Sequence, residues 1–444
     1  MRFETVTPRA ILVIAGLIIV LYGYPGLMTA DTVDQLDMMR RWDLGDWQPP
    51  ASAVLWKIVE TFVGGPFGML LLQTTAFVAG CFAVLCHELA RKFAALVTLV
   101  ICLLPPVLTT VGVVWKDTQM AGYLILGIGA LMSERRRTRW LGLGMLFVAS
   151  AMRHNAAAAT LAPIALLWAP GLSRSRRLGC AAVAWIGITV ASFAVNAALA
   201  ERSEHPWTIS VATTDVVGTV RWAPPLSDAE LRSILDGTPL RVDHDIQAAF
   251  VTHYDPYGWN AYASADPPLG LPTTEAEDEA MARAWRELVT DHPAAYLRHR
   301  WTVFAKLLQL GVRPTMSVIT TFTYDGDPDL AKRIHHDASP STIQRALFAI
   351  ENWVSSTRLI ANCFAPFVYF VVACCLLIGA WRSPHVFAVV ASGLVYELSF
   401  FIAAPSPDYR YSHWMIVTAL LGMAMVFARR WRVGVANAAV APAN

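Results

Sequence analysis

A cluster of carboxylates follows the first long apolar run of the chain. Asp31, Asp34 and Asp37 come directly after it with Gln35 among them, and Gln48 stands shortly beyond, before two prolines. Carboxylates at the mouth of a membrane span are costly unless they face water, a cation or a substrate. If 30–41 forms a short helix, Asp31 and Asp34 share a face, where mutual repulsion raises at least one pKa. The cluster therefore predicts a general base, with Asp31 and Asp34 as candidates, or else a capped and solvated helix start.

Basic side chains at four later positions complement this cluster. Lys116, Arg153, His154 and Arg410 each adjoin the end of an apolar run, and the planar fork of arginine matches phosphate oxygens. They are predicted to bind a phosphate. The alternative for each residue is that it anchors its helix at the membrane interface. Lys116 and Arg410 could also form purely structural ion pairs with a neighbouring aspartate. Their polar neighbours are candidates for positioning a substrate: Gln35, Gln48, Asp117, Asn155, Asp408, Tyr409 and Tyr411.

No metal site is predicted. His335 and His336 stand together but lack a partner at helical spacing. The sequence requires no cofactor and leaves a divalent cation open. A net charge of +2, spread over short loops, gives no reason to expect a nucleic-acid partner.

The composition indicates a multi-pass membrane protein. Hydrophobic residues make up 55% of the chain, charged residues only 15%, and the mean hydropathy is +0.45. The first apolar run is interpreted as a span rather than a cleaved signal peptide, because Met28 occupies a position that favours small side chains. Ten spans are predicted, at about 8–25, 66–87, 93–114, 118–133, 139–152, 156–170, 178–199, 357–380, 384–403 and 411–428.

Lysine and arginine residues are concentrated on every second connection, which by the positive-inside rule places both termini in the cytoplasm. The predicted fold is an all-α polytopic membrane protein of about ten transmembrane helices with a large extracytoplasmic loop domain. Three regions result: a membrane module of seven spans over 1–199 with a first outer loop at 26–65, a cap domain over 200–356 with an interfacial helix near 298–313, and a module of three spans over 357–444.

The polar clusters are all predicted at the outer ends of spans, on the side of the large loop. A transporter is expected to carry its ionisable residues near the bilayer centre, often on broken helices. The arrangement favours an enzyme site at the outer membrane surface. A lipid or polysaccharide flippase or other transporter is the alternative, and a non-catalytic membrane scaffold is a third.

Several short motifs resemble those of the GT-C superfamily of polytopic glycosyltransferases, in its little-characterised bacterial branch that uses polyprenyl-phosphate sugars. The resemblance extends over most of the chain in predicted topology but only over these motifs in sequence. The matching residues are Asp31-Thr32-x-x-Gln35 after Tyr24-Pro25-Gly26, then Gln48-Pro49-Pro50, Lys116-Asp117, Arg153-His154-Asn155 and Asp408-Tyr409-Arg410-Tyr411. Gln48 stands where the family more often has histidine.

The resemblance implies an inverting glycosyltransferase in the inner membrane of a bacterium, with its site facing the periplasm. A sugar would pass from a polyprenyl-phosphate donor to a hydroxyl of a lipid, glycan or protein. Asp31 would take the acceptor proton, and Lys116, Arg153 or Arg410 would stabilise the departing phosphate.

Overall fold

The computed structural model describes residues 6–240, 242–258, 260–263, 269–320 and 339–440. Within these ranges the protein is all-α. In the part of the chain that the structure describes, extended segments meet only in two isolated bridges, Leu27 with Val113 and Gly45 with Arg202. The predicted all-α class is confirmed.

The chain divides into two compact units. The first comprises Met1–Arg202, Arg313–Glu397 and Tyr409–Asn444, and the second Ser203–Val312 and Leu398–Asp408. The helices of the first unit are Pro8–Gly23, Ala30–Arg41, Pro50–Glu60, Phe67–Leu85, Arg91–Leu103, Pro105–Val111, Lys116–Leu131, Arg136–Met152, Ala156–Leu167, Arg174–Leu199, Thr342–Ser356, Arg358–Cys363, Pro366–Gly379 and His413–Val440, with a 3₁₀ turn at Tyr409–Ser412. Pro384–Ala403 contributes to both units.

The second unit contains a π-helical turn and short helices. They are Thr208–Ala212, Thr213–Trp222, Asp228–Ile234, Ile246–His253, Asn260–Ala263, Glu275–Asp291 and Pro293–Leu307. Glu275–Asp291 begins with a capping box, in which Thr274 and Glu277 satisfy each other's backbone N–H groups.

Among the described residues, five helices are long and apolar enough to cross a membrane, or six if a bent pair counts as one span. The most exposed of the five is Arg174–Leu199, whose apolar window is only 17% buried. Apolar side chains such as Val183, which is 73% exposed, therefore form an outer surface suited to hydrocarbon. The protein is a multi-pass membrane protein.

The ten predicted spans all coincide with helices, but several are shorter than a span requires. Pro8–Gly23 has 16 residues and Ala156–Leu167 has 12. The span predicted at 93–114 is two helices bent by 78°. Pro105 and Pro106 cause this bend, because proline disfavours helical backbone in the residue before it and lacks a donor N–H.

The predicted division into three regions differs from the compact units. The described residues 313–320 and 339–356 belong to the first unit and 398–408 to the second. The helix predicted near 298–313 runs from Pro293 to Leu307. Two basic residues of this helix, His299 and Arg300, are fully buried within the second unit.

Two antiparallel helices of the first unit form a hairpin that positions several polar residues. Lys116–Leu131 packs against Arg136–Met152. Their backbones approach closely at two glycines: a Cβ atom added to Gly142 would lie 2.9 Å from the Gly127 carbonyl oxygen. Small residues permit such close helix contact in membranes. Because the turn lies at one end, Lys116 and Arg153 emerge together at the open end.

We expect Gly142→Leu to lower the free energy of unfolding by about 1–3 kcal/mol, because the larger side chain forces the two helices apart. Denaturant titration of the purified protein measures the change. Gly144→Leu is the matched control, since nothing lies within 4 Å of a Cβ atom added at this exposed position. Equal losses in both variants would contradict close packing through Gly142.

Candidate active site

Asp31 lies in the first turn of the helix Ala30–Arg41, where the helix dipole favours a negative charge. The chain is thus helical over 30–41, the condition for Asp31 and Asp34 to share a face. The start of this helix is fixed to the segment before Lys116: Thr32 Oγ1 donates a hydrogen bond to the Val114 carbonyl at 2.7 Å, and Trp115 Nε1 donates to Thr29 Oγ1 at 2.8 Å. These bonds bring Asp31 to Lys116 from 85 positions away in sequence.

The open end of the helical hairpin carries a buried ion pair. Arg153 binds Asp117, and their side chains are only 9% and 1% exposed. Arg153 Nε also donates to Asn155 Oδ1 at 3.0 Å. The Oδ2 atom of Asp117 has no hydrogen-bond partner within the described part of the chain. This pair fixes the Arg153 guanidinium beside Lys116.

Arg410 closes the cluster from the far end of the sequence. It lies in the 3₁₀ turn Tyr409–Ser412 and forms an ion pair with Asp31. Its guanidinium carbon is 5.5 Å from the centroid of the Tyr411 ring, and that of Arg153 is 4.5 Å from the same centroid. The two guanidinium carbons are therefore at most 10 Å apart. Trp115 supplies a second aromatic wall, 5.2 Å from Arg410.

The cluster surrounds one accessible carboxylate with cations. Burial alone raises the pKa of Asp31, but the nearby charges of Arg410, Lys116 and Arg153 outweigh this effect and hold the pKa below its ordinary value. Its side chain is 38% exposed, whereas that of Arg410 is 10% exposed. Asp31 is thus ionised at neutral pH and open to an incoming molecule.

Lys116 is the most strongly perturbed cation of the group. Burial, with the repulsion of Arg153 and Arg410, lowers the pKa of its ammonium group to about 7, and the attraction of Asp31 opposes this only in part. It donates a hydrogen bond to Gln48 Oε1. The protonation of Lys116 therefore responds to any further negative charge that arrives beside it.

We expect Lys116→Met to be more stable than the wild type below pH 7 and to lose this advantage as the pH rises toward 10.5. Below pH 7 the lysine is protonated whether folded or unfolded, so the full cost of the buried charge is present. Between pH 7 and 10.5 the unfolded chain binds more protons than the folded one, so wild-type stability rises with pH.

Thermal unfolding midpoints of both proteins across this pH range measure the effect. The lost bond to Gln48 shifts the Lys116→Met curve without changing its slope, because the amide does not titrate. Parallel curves for the two proteins would contradict the lowered pKa of Lys116.

Five of the predicted residues lie outside the cluster or serve its framework. Gln35 is buried and donates to Ser52, and Tyr409 donates to the Phe364 carbonyl at 3.0 Å. Asp34 is exposed. The His154 ring stacks on Phe193, and burial with nearby positive charge lowers its pKa, so it is neutral at pH 7. Asp408 belongs to the second unit.

Glu397 is not among the site residues that the sequence predicts. It is fully buried in the helix Pro384–Ala403 and accepts a hydrogen bond from Ser412 Oγ at 2.7 Å. Because Ser412 ends the turn that carries Arg410, this bond positions that arginine. A single acidic residue within an apolar run is the signal that identifies it.

Among the residues with described positions, no group of three or more His, Cys, Asp or Glu side chains is arranged to hold a metal ion. His335 and His336 lie outside the described residues. The open option of a divalent cation is not tested by the structure.

Comparison with protein-family models, with curated proteins and with solved structures finds no match to this chain. What can be concluded about its function therefore depends on the residues and their geometry.

Proposed function

We propose that the protein is an inverting membrane glycosyltransferase of GT-C type. It transfers a sugar from a polyprenyl-phosphate donor to a hydroxyl of a lipid, glycan or protein at the outer face of a bacterial cytoplasmic membrane. The observation that carries the proposal is the ionised Asp31 carboxylate, exposed to solvent and set among Lys116, Arg153 and Arg410.

The chemistry requires one base and one anion site close together. The acceptor hydroxyl transfers its proton to Asp31 as its oxygen forms a bond to the anomeric carbon. The bond from that carbon to the phosphate oxygen breaks, and the phosphate leaves with the electron pair. Guanidinium groups beside the phosphate stabilise the charge that develops on it. Arg410 and Arg153 provide these guanidinium groups, and their guanidinium carbons are at most 10 Å apart.

The ion pair between Asp31 and Arg410 suggests how donor binding prepares the base. A carboxylate held by an arginine is a weak base, because its pKa is low. A donor phosphate competes for the Arg410 guanidinium, and its capture raises the pKa of Asp31 toward the ordinary value. Binding of the donor would thus activate the base only when a substrate is present.

The proposed topology has ten spans with both termini in the cytoplasm and 200–356 outside. It follows from the concentration of Lys and Arg on every second connection, which the positive-inside rule places in the cytoplasm. Cysteines introduced by Asp228→Cys and Arg137→Cys test it, after replacement of the exposed Cys180, Cys363 and Cys375. An impermeant thiol reagent should label only the first in intact cells. Labelling of both would contradict the orientation.

We expect Arg410→Gln to weaken binding of a short-chain polyprenyl monophosphate by about tenfold or more, because one charge-assisted contact is lost. Isothermal titration with protein in detergent measures the affinity. Arg41→Gln is the matched control: it removes the same charge from a 52% exposed arginine paired with Asp37. An unchanged affinity in Arg410→Gln would contradict its role in phosphate binding.

A flippase would move the lipid-linked sugar between leaflets and leave it intact. The transferase releases free polyprenyl phosphate. These outcomes can be separated by reconstituting the protein in vesicles with the lipid-linked sugar and a membrane extract that contains the acceptor. Both the movement of the sugar and the release of polyprenyl phosphate are then measured. Movement of the sugar between leaflets with no release of polyprenyl phosphate would favour the transporter.

A further inference from the structure

A second polar cavity lies at the turn end of the helical hairpin, opposite the end that carries Arg153. It has a volume of about 680 Å³, and Arg135, Arg139 and Arg177 line it together with His87 and His385. The 17-residue helix Arg136–Met152 separates it from the Asp31 cluster by about 25 Å, at 1.5 Å per residue. The cavity is therefore distinct from the site described above.

The positive charge of this cavity is not neutralised within the described ranges. No ion pair involves Arg135, Arg139 or Arg177, and the buried Nε atoms of Arg139 and Arg177 have no hydrogen-bond partner there. The nearby buried carboxylate, Glu88, is already paired with Arg429 and Arg432. Glu134, the carboxylate on the cavity lining, is exposed.

Three guanidinium groups that face one space repel one another, and a buried N–H without a partner costs free energy. An anion with several acceptor oxygens removes both costs. Phosphate has this property, and arginine binds it through two parallel hydrogen bonds. The volume also lies within the range of sites for small ligands, so a group larger than phosphate itself fits.

We propose that this cavity binds a phosphate group, either from the headgroup of an anionic lipid or from a soluble phosphate compound. The proposal does not depend on the transferase function. Arginines that merely follow the positive-inside rule meet lipid headgroups without selectivity. A specific site instead requires Arg139 and Arg177, which are partly buried, more than exposed arginines such as Arg137.

The test compares two double variants with the same loss of charge. Arg139→Gln with Arg177→Gln alters the cavity, and Arg137→Gln with Arg174→Gln alters exposed arginines nearby. Full-length protein in phosphatidylcholine nanodiscs is titrated with inorganic phosphate. In a second arm, native mass spectrometry counts the phosphatidylglycerol retained from mixed nanodiscs. The cavity variant is expected to bind at least about tenfold more weakly than the wild type, and the control to bind as the wild type does.

Selective loss in either arm supports the site, and the arm affected identifies the source of the phosphate. Equal loss in both double variants, or no binding by the wild type in either arm, would overturn the proposal. If the cavity variant does not fold, phenylglyoxal labelling of the wild type provides a second test. Phosphate or phosphatidylglycerol should protect Arg139 and Arg177 but not Arg137, and uniform labelling would reject the site.

Discussion

Asp31→Asn is expected to reduce sugar transfer by about 10² to 10⁴, which is the usual cost of losing a positioned general base. Asparagine keeps the size of the side chain but cannot accept the proton. Donor affinity should be maintained or increased, because Arg410 is released from its ion pair with Asp31 and is available to the donor phosphate. Turnover with a set of polyprenyl-phosphate hexoses, together with titration of a polyprenyl monophosphate, separates chemistry from binding.

Asp34→Asn is the matched control, since Asp34 lies one turn further along the same helix and is exposed. It should transfer sugar at nearly the wild-type rate. Circular dichroism and an unchanged melting temperature establish that both variants are folded. Normal transfer by Asp31→Asn would refute the assignment, and a loss confined to Asp34→Asn would make that residue the base.

Arg300→Met is expected to lower the free energy of unfolding by about 3–5 kcal/mol, the typical cost of leaving one member of a buried ion pair without its partner. Arg300 is fully buried and lies 3.1 Å from Asp215. It also donates to the Phe401 carbonyl at 2.9 Å and to the Ala404 carbonyl at 3.2 Å, near the end of the helix Pro384–Ala403. One substitution therefore removes a charge partner and the donors for unpaired helix carbonyls.

Arg298→Met tests whether burial is the cause. Arg298 is exposed in the same helix and contacts the Trp222 ring, so its loss should cost no more than about 1 kcal/mol. Chemical denaturation of both variants measures the difference. In the double variant Arg300→Met with Asp215→Asn, the loss should be smaller than the sum of the single losses, because no uncompensated charge remains. Strict additivity would contradict the pairing.

The contacts of Asp215 explain why the loss of Arg300 should lower the free energy of unfolding by this amount. Trp285 Nε1 donates to Asp215 Oδ2 at 2.9 Å, and His299 Nε2 lies 3.1 Å from Asp215 Oδ1. Burial is the main reason that the pKa of His299 lies below its ordinary value. Arg300 is therefore the principal cation that balances the Asp215 carboxylate within the second unit.

The helical class and the positions of the helices follow from the sequence, because the hydropathy of a segment and its prolines act locally. Each predicted span coincides with a helix or with a pair of helices. The break before Pro105 is also encoded locally, because two adjacent prolines mark it, but hydropathy alone predicts one span over 93–114. The lengths of Pro8–Gly23 and Ala156–Leu167 were less predictable, because apolar composition does not specify where a helix ends.

The sequence by itself determined which residue types adjoin the ends of the apolar runs, and so identified Asp31, Lys116, Arg153 and Arg410 as candidates. Only the tertiary structure decided which of them meet. Asp31 and Arg410 are 379 positions apart and form an ion pair, whereas Gln35, four residues after Asp31, donates to Ser52. Periodicity determines the face of a helix on which a side chain lies, but contact between two faces depends on how whole helices pack. In the hairpin, that packing depends on the close approach of the two backbones at Gly127 and Gly142.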